Sequence, residues 1–73
     1  LLIYIRERRE ALGMSQGDLA ERVGVTRPAV CLWESGSRNP ETWRLPDIAA
    51  ALGCKAGELF SPPEKQANTE EAS

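Results

Sequence analysis

Glycine recurs at positions 13, 24, 36 and 53 of this chain, interleaved with the cap-forming hydroxyl residues Ser15, Thr26 and Thr42. That punctuation limits what the chain can become, because glycine ends helices and Ser or Thr starts them. The 73 residues are cut into short helical segments. Alternating strand-like stretches are absent, so the expected class is all-α. A chain this short holds one small core, which leaves no room for a large substrate cleft.

The first segment, Leu2 to Leu12, has helical spacing at Leu2, Ile5, Arg9 and Leu12, and stops at Gly13. Ser15 is a good N-cap for the second segment, Gln16 to Val23, with Asp18 three residues on as a capping box. Leu19, Ala20 and Val23 line one face, and Gly24 is expected to end the helix in a left-handed conformation. Thr26 caps the third segment, which runs to Glu34. Pro28 falls in its first turn, where a missing N–H costs nothing. Val30 and Trp33 form its buried side, and Ser35–Gly36 closes it. Residues 37–41 form a loop broken by Pro40.

Thr42 is expected to cap a fourth helix reaching Leu52, which is taken to put Pro46 in the first turn; its buried side is Leu45, Ile48, Ala49 and Leu52, and Gly53 ends it. Lys55 to Phe60 makes a short fifth helix. From Ser61 onward no apolar face exists, so residues 1–60 are read as the domain and 61–73 as a disordered tail or linker.

The formal charge of -2 misleads. Residues 1–60 hold eight basic and eight acidic side chains, while residues 61–73 hold one and three. The domain is neutral, so any affinity for nucleic acid must come from local basic clustering. Two cysteines, Cys31 and Cys54, and no histidine exclude an ordinary zinc site, and no cofactor is expected. The opening LLIYI run is too short for a membrane span or a signal core. A reducing cytoplasm is therefore expected, with both thiols free. Position 1 is Leu rather than Met, so either trimming or further residues before Leu1 are expected.

Segments two and three are each about two turns long and meet across one glycine. Such a pair is too small to be stable alone and must lean on the other helices. This is the helix-turn-helix, whose second helix projects for groove insertion. The stretch SQGDLAERVGVTRPAVCLWESG carries Ser15, Gln16, Ala20, Gly24, Val30, Trp33, Glu34 and Gly36 in register. It resembles the phage repressor and Cro-like helix-turn-helix family, the XRE family, and the resemblance extends over residues 4–60.

The resemblance implies a compact five-helix, lambda-repressor-like bundle. It implies an ion pair between Arg9 and Glu34, which ties the first helix to the third. It places Gln16 on a DNA phosphate, with Ser37, Arg38 and Asn39 where the family meets the phosphate backbone. Thr26, at the recognition-helix cap, can bond another phosphate. The family usually has an apolar residue where this chain has Arg8, whose side chain is expected to snorkel or reach a phosphate.

Base reading falls on the outer face of the helix spanning residues 26–34: Arg27, Pro28, Ala29, Cys31 and Leu32. Arg27 is the sharpest candidate, because a guanidinium pairs bidentately with guanine N7 and O6; a phosphate contact and a surface ion pair are its alternatives. Pro28 or Ala29 can pack on a thymine methyl. Leu32 suits either a thymine methyl or a protein face. Cys31 is read as a tolerated small side chain rather than a redox sensor.

The expected function is a sequence-specific transcriptional regulator, a repressor acting on double-stranded DNA as a homodimer, with room for an effector or toxin partner. The alternative is a protein-interaction module or antitoxin-type partner that keeps the fold with little or no DNA binding. No residues have the spacing of a nucleophile and its base, so no catalytic residue, and no enzyme, is expected.

Overall fold

The computed structural model describes residues 3–63. Four α-helices follow one another: α1 (Ile5–Ala11), α2 (Gln16–Val23), α3 (Arg27–Ser35) and α4 (Leu45–Ala51). Two 3₁₀ segments, Thr42–Arg44 and Ala56–Phe60, flank α4. The all-α expectation holds, but the fifth segment is a 3₁₀ turn rather than an α-helix. Leu2 and residues 64–73, on which the start of segment one and most of the tail were read, lie outside the described residues.

Local side-chain chemistry defines α2 and α3. The Ser15 hydroxyl accepts from the Asp18 N–H at 3.0 Å, and the Asp18 carboxylate accepts from the Ser15 N–H at 3.2 Å. Two of the donors at this helix start, the Ser15 and Asp18 N–H groups, are thereby satisfied. The box favours the ionised acid, and these hydrogen bonds from Ser15 hold the Asp18 carboxyl below its usual range. Gly24 follows α2 at φ 88, and the N–H groups of Gly24 and Val25 both reach the Ala20 carbonyl, at 2.8 and 2.9 Å. That pair of bonds folds the chain back so that Thr26 can cap α3, its hydroxyl accepting from the Ala29 N–H at 3.4 Å.

The fourth helix begins later than expected. Thr42 does not cap it; Thr42–Arg44 form a 3₁₀ turn and α4 starts at Leu45. Proline explains the difference. With Thr42 as cap, Pro46 would stand where a helix needs an N–H directed back at the Thr42 carbonyl, and proline has none. Starting at Leu45 puts Pro46 in the first turn, where no such donor is required.

Ile5, Leu19, Val30, Ile48 and Leu59 are fully buried at the centre, joined by Met14, Ala20, Trp33, Ala49 and Leu52. Each helix and the last 3₁₀ turn contributes, so no pair of elements is self-sufficient. α2 packs on α3 and α4, α1 on α3, and α4 on the last turn. The Tyr4 N–H bonds the Leu59 carbonyl at 2.8 Å, bringing the two ends of the domain together. Leu12, the last position of the expected first segment, follows the end of α1 at Ala11 and is 55% exposed.

Arg8 takes neither course expected of it. It is buried, its Nε donating to the Glu58 carbonyl and its Nη2 to the Ser61 carbonyl, both at 3.1 Å. The guanidinium thus closes the end of the last 3₁₀ turn against α1.

Candidate nucleic-acid interface

Val30 and Trp33 point α3 into the core, which turns Arg27, Pro28, Cys31 and Leu32 outward. Ala29 is half-buried and packs against the core, so of the five base-reading candidates it is the least accessible. Gln16, at the first turn of α2, joins Arg27, Pro28 and Cys31 in lining an open concavity of about 240 Å³. Helices α2 and α3 therefore present one continuous surface at their N-terminal ends. Among the described residues no acid pairs with Arg27.

The base of this surface is set by Glu34, whose side chain is wholly inaccessible. Arg9 Nε donates to Oε2 at 2.7 Å and Nη2 to Oε1 at 3.0 Å, a bidentate pair that joins α1 to α3. The third guanidinium nitrogen donates to the Met14 carbonyl at 2.8 Å. Burial pushes the Glu34 carboxyl upward, but the hydrogen bonds from Arg9 and Gln16 outweigh it and hold the group below its ordinary range. The bond to Glu34 raises Arg9 above its ordinary value.

Gln16 Nε2 donates to Glu34 Oε1 at 3.0 Å. A carboxylate only accepts, so the amide must turn its nitrogen inward, and one of its two N–H donors is committed there. Among the described residues nothing accepts from the second, nor from the backbone N–H at the start of α2, where no intrahelical partner exists. Arg6 Nε reaches the same Glu34 oxygen at 3.5 Å from a half-exposed position.

Thr26 is exposed, and its hydroxyl hydrogen is available because the oxygen is the acceptor in the cap. The loop after α3 is ordered by its own bonds. Ser35 Oγ donates to the Leu32 carbonyl and accepts from the Ser37 hydroxyl at 3.0 Å, and the Arg38 N–H returns to the Leu32 carbonyl at 3.2 Å. Ser37, Arg38 and Asn39 are all exposed there.

Sequence reasoning passed over Trp43, which is 64% exposed with the Arg44 guanidinium stacked 4.3 Å from its ring centre. Arg44 in turn pairs with Glu41 at 3.1 Å. An aromatic in a turn has no periodic signal, so only its isolation from the helical faces could have drawn attention to it.

Cys31 is exposed and Cys54 half-buried, and both are free. Burial pushes the Cys54 thiol up. Among the described residues no cluster of His, Cys, Asp and Glu could hold a metal ion, and no helix is long and apolar enough to cross a membrane.

Two short helices across a left-handed glycine, the second held outward-facing by a buried ion pair, define a helix-turn-helix domain. The helix-turn-helix family profile matches residues 5–59. An uncharacterized HTH-type transcriptional regulator of Methanothermobacter thermautotrophicus is 49% identical over 49 residues, 67% of this chain and 71% of that protein. The solution structure of the DNA-binding domain of the P22 c2 repressor superposes with a TM-score of 0.75 at 33% identity, covering 78% of this chain and 75% of that one. FeII HppE in complex with substrate also matches, with a TM-score of 0.69 at 33% identity, over 82% of this chain but 34% of that one. The chain belongs to the helix-turn-helix family, of the Cro and repressor (XRE) type, and is an HTH-type transcriptional regulator with a domain like the DNA-binding domain of the P22 c2 repressor.

Proposed function

We propose that α3 enters the major groove of double-stranded DNA and that Arg27 reads a base there. The observation that carries this reading is the exposed, acid-free position of Arg27 beside Gln16 at the mouth of the α2–α3 concavity. Pro28, Cys31 and Leu32 follow along the same outward face and supply apolar contacts to base edges. Ala29, set back toward the core, reads a base only where the groove wall comes close. Gln16, Thr26, Ser37, Arg38 and Asn39 hold the backbone phosphates on either side and fix the register of α3. The Arg9–Glu34 pair positions this surface without touching DNA.

The reading extends to repression, by occupying an operator as a homodimer on two half-sites about one helical turn apart. No catalytic activity is assigned; the likeness to HppE covers a minor part of that enzyme. The test is binding of the unaltered chain and Arg27→Ala to single-base-pair variants of a selected site. Arg27→Ala should lose about 1–3 kcal/mol of discrimination at one base pair. An unchanged preference at every position contradicts the base-reading role.

A second reading, a protein-interaction module on the same fold, is favoured by two exposed apolar side chains, Leu32 at 38% and Trp43 at 64%. It predicts duplex binding that is weak and nearly insensitive to salt.

A further inference from the structure

Two hollows lie side by side along α1 and share no lining residue with the α2–α3 concavity. The first, about 170 Å³, is lined by Ala11, Leu12, Leu52, Gly53 and Pro63, together with Arg8, whose guanidinium is already committed to two carbonyls. The second, about 420 Å³, is lined by Glu7, Glu10, Ala11 and Pro63. Ala11 and Pro63 border both, so the two form one groove with an aliphatic half and an acidic half. Neither half is satisfied within the chain. Leu12 is 55% exposed at the aliphatic end. Among the described residues no basic side chain pairs with Glu7, and Glu10 meets only Arg9, at 3.9 Å. Arg9 is itself held by Glu34. Such a groove fits a surface that carries an aliphatic side chain beside an uncompensated cation.

The chain carries a surface of that kind. Leu32 is 38% exposed on α3, and the Arg38 N–H is bonded to the Leu32 carbonyl, which keeps the two residues close. Arg38 is exposed and has no ion pair among the described residues. Trp43 does not serve, because the cation stacked on it, Arg44, is already paired with Glu41. We infer that the α1 groove receives the α3 edge of a second copy of this chain, Leu32 entering the aliphatic half and Arg38 meeting Glu7 and Glu10. The contact is head-to-tail, since groove and edge are different surfaces of the molecule. A groove this small supports a weak, transient association. Because the α3 edge is also the surface proposed to meet DNA, chains associated in this way mask one another, and duplex disperses them. The contact itself is independent of the DNA-binding reading; only the competition with duplex rests on it.

Sedimentation of the unaltered chain from micromolar to millimolar concentration, at low and high salt and without DNA, tests the inference beside Leu12→Ser in the groove and Leu32→Ser on the edge. Melting temperatures establish that all three are equally folded. The unaltered chain is expected to associate as concentration rises, less so at high salt, and each variant to associate about tenfold more weakly. An equimolar mixture of the two variants is the discriminating sample. Leu12→Ser keeps an intact edge and Leu32→Ser an intact groove, so a head-to-tail contact re-forms between them, and association recovers above that of either variant alone. A symmetric interface cannot recover in this way. A chain that stays monomeric throughout, or variants that show no recovery on mixing, overturns the inference. With a short mixed-sequence duplex added, the associated chains should disperse into protein–duplex complexes. Duplex that binds and leaves the association intact overturns the masking; failure of duplex to bind overturns the DNA-binding reading and leaves the head-to-tail contact standing.

Discussion

Arg9 and Glu34, 25 residues apart, face each other across the junction of α1 and α3 with two parallel charge-assisted hydrogen bonds. The acid is fully enclosed and the guanidinium nearly so, at 0% and 11% exposure. Removing Glu34 leaves the nearly buried Arg9 guanidinium without its bidentate partner, and removing Arg9 leaves the enclosed Glu34 with only the Gln16 amide and the 3.5 Å contact of Arg6. Arg9→Ala and Glu34→Ala are each expected to destabilise the domain by about 3–5 kcal/mol. Chemical denaturation measures this. A loss under about 1 kcal/mol would mean that the pair behaves as a solvated surface contact.

The same pair sets an acid dependence. Glu34 is held below its unfolded-state pKa, so its stabilisation is complete above the ordinary carboxylate range and is lost as pH falls through the lowered folded value. The unfolded chain takes up the proton first, which gives the sign. Stability should therefore fall with decreasing pH below about 4.3, the ordinary glutamate value. Glu34→Gln should show a shallower acid loss than the unaltered chain. Parallel pH profiles of melting temperature for the two proteins would refute this attribution.

Arg8 predicts a loss of a different kind. Its two hydrogen bonds hold the carbonyls of Glu58 and Ser61, 50 and 53 residues away. Arg8→Ala is expected to cost about 2 kcal/mol, because hydrogen bonds to a charged group are lost and a partly buried carbonyl is left open. Hydrogen exchange should locate the loosening at the Ala56–Phe60 turn. Loss confined to α2 and α3 would contradict the assigned role.

Gly24 separates conformation from crowding. Its φ is 88, and a Cβ built there meets nothing within 4 Å. The cost of a side chain is then the left-handed backbone alone. Gly24→Ala should lose about 1–2 kcal/mol and Gly24→Asn less, since asparagine visits this region more readily. Equal losses in the two variants would point to a clash instead.

What could be read from the sequence divides along physical lines. The limits of α2 and α3 were legible because Ser15, Asp18, Gly24, Thr26 and Gly36 act on backbone groups within a few residues of themselves. The outward face of α3 was legible for the same reason: Val30 and Trp33 fix its orientation. The start of α4 was misread because Pro46 was taken to fit the first turn of a helix capped by Thr42, whereas from that cap its position is the one whose N–H must return to the Thr42 carbonyl. The burial of Arg8 was not legible at all. Its partners are backbone carbonyls of a distant turn, which leave no mark in residue type. Gln16 was read toward DNA alone, whereas its amide also bonds Glu34, a link visible only once α3 is docked.

The central claim is that α3 reads base sequence. Selection of bound duplexes from a random pool by the unaltered chain tests it most directly. Enrichment of one sequence, with half-sites about one helical turn apart and their symmetry reflecting a dimer, is the predicted result. A pool that stays unenriched while the folded protein retains duplex affinity would contradict it.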